Sequence, residues 1–162
     1  MRKIDFAPIR LSLFLLCSFL NLSGQEKIED TTIKTMSGKQ IEIVDHQNIY
    51  LFYMWKTTSK VSHEDIKYLN DLVNTYKDRN IIFVAATTDK QKKLEKFLNT
   101  SDFLFNHVCG KEGKRTIKLF NANEIVRFYP RYYIVDKNGN IVTSAIGSCE
   151  TIHSLIENEL NK

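Results

Sequence analysis

Two stretches, NIYLFYMW at 48–55 and IIFVAATT at 81–88, are nearly uninterrupted apolar runs. Runs this short and this apolar suit strands buried on both faces of a sheet. Between them Ile66, Leu69, Leu72, Val73 and Tyr76 recur at helical spacing. A strand, a helix and a second buried strand can return to one sheet only by a crossover, which makes the two strands parallel. This unit constrains the fold more than any other feature.

The flanking segments extend the pattern. Ile33 to Val44 alternates around Ser37-Gly38 and reads as a small hairpin. Lys90 to Leu98 is a basic amphipathic helix, FNHVCG near Cys109 a short strand, and Lys114 to Asn121 another short helix. Tyr132 to Asp136 is a strand that turns at Asn138-Gly139, two residues that tolerate positive φ, into NIVTSAIG. Thr151 to Leu160 closes with an amphipathic helix. Ser62 and Asp65 form a candidate capping pair at the start of the first helix. The expectation is an α/β fold with a mixed central sheet, helices on both faces and an N-terminal β-hairpin.

The first 24 residues stand apart. A basic stretch, MRKIDFAPIR, precedes twelve mostly apolar residues from Leu11 to Leu22, and Ser23-Gly24 supplies small residues before Gln25. These are the three zones of a secretory signal peptide, so residues 1–24 are expected to be a leader and 25–162 one domain. The apolar run falls short of the roughly 20 residues a membrane-spanning helix needs, so no span is expected once the leader is removed. Cys17 follows Leu16, where a lipidation signal wants a small residue, and it reads as a small hydrophobe of the leader.

Net charge is +4, of which Arg2, Lys3 and Arg10 against Asp5 contribute +2. The remaining +2 gives no basis for nucleic-acid binding. His46, His63, His107 and His153 are scattered, His107 and Cys109 form an isolated His-x-Cys pair, and no glycine loop suited to a phosphate occurs. No metal or cofactor is therefore expected. Export implies an oxidising compartment, in which Cys109 and Cys149 either pair or stay as free thiols.

The order of elements and their motifs resemble the thioredoxin fold, and more narrowly the exported thiol-disulfide oxidoreductases of the TlpA/ResA type. The resemblance spans the chain from Ile33 to the last helix. Trp55 sits at the family's tryptophan and Thr57 at its Thr or Ser. Ser59 and Ser62 fall on the two positions of the family's Cys-x-x-Cys, and Asp65 on its usual Glu. Pro130 falls on the proline that the family keeps in cis, and Tyr133 to Ile141 on the strand-turn-strand after it. Lys67 replaces a helix-kinking proline, and Tyr129 and Arg131 are bulkier than usual.

The resemblance implies a scaffold for thiol-disulfide exchange, yet a serine hydroxyl forms no disulfide. The expectation is a redox-inactive protein of the bacterial cell envelope or periplasm. It would bind an unidentified envelope protein or peptide near Trp55, Ser59, Tyr129, Pro130 and Arg131. SKVS itself reads as a helix cap. An oxidoreductase or peroxidase-like enzyme acting through Cys109 or Cys149 is the alternative. A structural subunit with a merely solvated surface is a third view.

Overall fold

In the computed structural model, residues 27–120, 129–146 and 151–162 are described. The expected leader, Cys17 and Cys149 lie outside them.

Strands β1 (Thr31–Lys34) and β2 (Gln40–Ile43) form the expected antiparallel hairpin, with Gly38 at φ +88° in its turn. The hairpin stands outside the main sheet. Next come β3 (Ile49–Met54), α1 (Lys60–Tyr76) and β4 (Ile81–Ala86), and all six residues of β3 are buried. β3 and β4 pair in parallel, as the crossover requires. Helix α2 (Gln91–Leu98), β5 (Asn106–Val108) and α3 (Gly110–Lys118) follow, then β6 (Arg131–Val135), β7 (Ile141–Ile146) and α4 (Ile152–Leu160).

The five-stranded sheet runs β5-β4-β3-β6-β7 and is mixed: β3–β4 and β4–β5 are parallel, β3–β6 and β6–β7 antiparallel. One core packs Ile66, Leu69 and Leu72 of α1, Leu94 of α2, and Ile152 and Ile156 of α4 against Leu51, Tyr53 and Ile134. The other packs Ile117 of α3 and the hairpin's Ile33, Ile41 and Ile43 against Tyr50, Phe52 and Tyr133. Alternate residues of β3 thus feed opposite faces, which is why its run carries almost no polar residue.

Three local expectations need correction. Helix α3 begins at Gly110, four residues before the predicted Lys114. Two glycines, Gly110 and Gly113, lower the apparent helix propensity there. Gly113 is required by contact, because a Cβ on it would lie 2.0 Å from the Thr87 carbonyl oxygen. The 138–139 turn uses positive φ only at Gly139. Asp136 N–H donates to the Asn140 carbonyl, Gly139 N–H donates to the Asp136 carbonyl, and the Asp136 carboxylate accepts from the amides of Asn138 and Asn140. This is the hairpin form with a glycine bulge. Finally, Ser59 caps α1, and Ser62 and Asp65 do not cap each other.

Register aligns Val108, Ala86, Met54, Arg131 and Ile146 in one row across an end of the sheet. At this row β3, β4 and β5 end and run into α1, α2 and α3. Tyr129-Pro130 enters β6 at the same row.

Candidate functional site at the entrance of the first helix

Ser59 takes an extended conformation, and its Oγ accepts a hydrogen bond from the Ser62 amide at 3.3 Å. This supplies one of the four amide partners that a helix start lacks. Ser59 is half-buried, whereas Ser62 is fully buried. The Ser62 hydroxyl has no hydrogen-bond partner among the described residues. The two serines therefore play different parts: one closes the helix, and the other fills a space beneath it.

Below them, Asp65 receives hydrogen bonds from Tyr53 at 3.2 Å and from Tyr132. Tyr53 also approaches the Ser62 carbonyl at 3.2 Å. Trp55 is fully buried and packs edge-on against Phe97 and Phe103. Sequence reading placed Trp55 among the contact residues; the structure makes it the floor. His63 Nε2 donates to the Thr57 carbonyl at 2.9 Å, and its ring tilts against Phe97.

The loop before α1 is held from the side by Asp89. One oxygen of its carboxylate accepts from the Thr57 amide at 2.9 Å and from the Thr57 hydroxyl at 2.7 Å. The other meets Lys93 Nζ at 2.9 Å. Its backbone carbonyl accepts from Gly110 N–H at 2.9 Å. One residue thus ties together the entrances of α1, α2 and α3. Burial works against its charge, but hydrogen bonds from Lys93 and Thr57 outweigh burial and hold the carboxyl below its ordinary value. Sequence reading missed Asp89, because its partner Thr57 lies 32 residues earlier.

On the other side of the entrance, the Tyr129–Pro130 bond is cis, as the resemblance implied. Pro130 is buried, and Tyr129 and Arg131 are half-buried. Lys56 Nζ lies 5.2 Å from the centre of the Tyr129 ring. Burial, and then the charge of Asp89, push the Tyr129 phenol up. Arg131 donates to the Tyr133 hydroxyl at 3.0 Å.

Cys109 caps α3 without a side-chain hydrogen bond and carries a free thiol. It lines a cavity of about 400 Å³ with Lys34 to Gly38, Gln91 and Glu112, and no residue of the α1 entrance borders that cavity. Burial, then Glu95, push the thiol above its ordinary value, which disfavours the reactive thiolate. His107 is buried and donates from Nε2 to the Phe103 carbonyl at 2.9 Å, and burial lowers its pKa. Among the described residues, no three His, Cys, Asp or Glu side chains are grouped to hold a metal ion.

Residues 25–144 match the AhpC/TSA family. The chain belongs to this family. It is also similar to the thiol-disulfide oxidoreductase ResA of Bacillus cereus, at 25% identity over 117 residues, covering 71% of this chain and 65% of ResA. The chain thus spans just under two thirds of that relative's length. The thioredoxin-like protein YneN of Bacillus subtilis is 25% identical over 127 residues, covering 76% of this chain and 71% of YneN. Among solved structures, a thiol:disulfide interchange protein of the thioredoxin family from Chlorobium tepidum superposes with a TM-score of 0.71 at 15% identity, covering 84% of this chain and 97% of that one. The thioredoxin domain of a thiol-disulfide oxidoreductase from Bacteroides vulgatus gives 0.68 at 16% identity, covering 83% and 96%. The fold is therefore thioredoxin-like, and the relatives of this AhpC/TSA member include the thiol-disulfide oxidoreductase ResA. No helix among the described residues is long and apolar enough to cross a membrane.

Proposed function

We propose that this AhpC/TSA-family chain is a redox-inactive, thioredoxin-like binding module of the cell envelope, which holds a polypeptide at the α1 entrance. The supporting observation is the pair Ser59 and Ser62, one capping α1 and the other buried one turn inside it. In this reading they stand where the oxidoreductases carry their two cysteines. A helix start lowers the pKa of a thiol enough to make a nucleophile at neutral pH, but a serine hydroxyl stays protonated there. A serine nucleophile would need an adjacent base. The nearby imidazole, His63, is directed at the Thr57 carbonyl instead. Export to the envelope rests on the leader-like residues 1–24.

What remains is a half-open rim of Lys56, Ser59, Tyr129 and Arg131 over a buried floor of Trp55 and Pro130. Such a rim offers backbone and side-chain contacts to an extended polypeptide and no electron carrier. The competing reading, chemistry through Cys109, meets a thiol held protonated by its surroundings.

The test is insulin-disulfide reduction by the protein lacking residues 1–24. The parent is expected to show no turnover above the reductant alone, and Cys109→Ser to leave that unchanged. The Ser59→Cys/Ser62→Cys variant is expected to gain dithiol exchange. Turnover by the parent comparable to that variant refutes the reading.

A further inference from the structure

We propose that the polypeptide held at the α1 entrance is acidic, an extended segment whose carboxylates lie along a lysine-rich rim. This rests on the binding reading above and adds its charge selectivity. Lys56, Lys60, Lys90 and Lys93 all belong to the two loops and helix starts tied together through Asp89. Lys60 is 90% exposed, and its ion pair among the described residues is a long one of 3.7 Å to the exposed Glu64. Lys90 is exposed at the N-cap of α2. Lys56 lies against Tyr129, half-buried beside Pro130.

The carboxylates in this neighbourhood are already engaged. Asp89 is bound by Thr57 and Lys93, Glu64 by Lys60, and Glu95 by the Gln91 amide at 2.8 Å. Neither α1 nor α2 has an acidic residue in its first turn, and the carboxylate beside their starts, Asp89, is already taken up by Thr57 and Lys93. At the opposite end of the sheet, Lys137 and Lys162 stand among Asp136 and Glu159, and the signs are mixed.

A polypeptide fits better than the other anionic surfaces. The chain beyond residue 24 carries a net charge of only +2, too little for a nucleic-acid partner. The large apolar side chains exposed among the described residues are Val61 on α1, Leu104 in the loop before β5 and Ile146 on β7. That is too little apolar surface to enter a bilayer, whereas Val61 beside Lys60 suits a segment that alternates acidic and apolar residues.

The experiment uses fluorescently labelled peptides of one apolar pattern whose polar positions are all Glu, all Gln or all Lys. They are titrated against the protein by anisotropy, and vesicles rich in phosphatidylglycerol are tested by co-sedimentation. The Glu peptide is expected to bind about tenfold tighter than the Gln peptide and to weaken with salt, with the Lys peptide weakest. Lys56→Glu/Lys60→Glu is expected to erase the difference, while Lys77→Glu/Lys137→Glu, away from the rim, retains it. Circular dichroism checks that both variants fold. Equal binding of the Glu and Gln peptides overturns the acidic preference and leaves the binding reading standing. No binding of any peptide overturns both. Binding to vesicles with none to the Glu peptide replaces the polypeptide by a membrane and overturns the proposal.

Discussion

Replacing Asp89 probes the joint between the three helix entrances. Asp89→Ala removes the acceptor of two hydrogen bonds from Thr57, a residue 8% exposed. Hydrogen bonds to a charged group contribute about 1.5–3 kcal/mol each, and an orphaned buried donor costs a similar amount. The Asp89 side chain is itself 13% exposed, so water reaches part of the space it leaves. The lower end applies, about 3 kcal/mol for the pair. The Lys93 contact adds little, because Lys93 is 46% exposed. Asp89→Asn keeps the one oxygen that both Thr57 bonds use, now as neutral bonds, and is expected to cost about half as much. Urea unfolding followed by the fluorescence of Trp55, the single tryptophan and fully buried, measures both. Asp89 has a folded pKa below its unfolded one, so its contribution is complete above about pH 4 and fades as pH falls through the folded value. The gap between parent and Asp89→Ala should therefore narrow on acidification. A gap under about 0.5 kcal/mol at neutral pH, within the ordinary range of surface substitutions, refutes the reasoning. So does a gap that ignores acid.

Other consequences concern single residues. Ser59→Ala should lose about 1 kcal/mol with its cap, while Ser62→Ala, which deletes a buried hydroxyl without a partner among the described residues, should be neutral or stabilising by up to about 1 kcal/mol. Paired thermal melts would contradict this if Ser62→Ala proved the worse of the two. Gly113→Ala should destabilise by about 3 kcal/mol, since its methyl meets the Thr87 carbonyl and backbone must move; an unshifted urea midpoint would count against that contact. The Cys109 thiol should alkylate slowly at neutral pH and faster as pH rises past its ordinary value, 9.0. A fast-reacting fraction at neutral pH would contradict its protonated state.

Local pattern revealed most of the fold. The buried run of β3 and the spacing of Ile66, Leu69 and Leu72 were enough to place the crossover, because burial on both faces leaves a signature in a few adjacent residues. Helix α3 was harder: Gly110 and Gly113 look like loop, and only the close approach of Thr87 explains a glycine inside the helix. At the entrance of α1, the place of Ser59 and Ser62 at a helix start was legible, but their division into cap and buried filler was not. That division depends on Tyr53 and Tyr132 occupying Asp65 from other strands. The Asp89–Thr57 joint also left no trace in local spacing, as long-range hydrogen bonds rarely do.

The Ser59–Ser62 cap has a broader consequence. An alcohol-to-amide contact exists in a single chemical form, whatever the potential of the surrounding medium. A partner docking there would find the same landing ground among oxidants and among reductants.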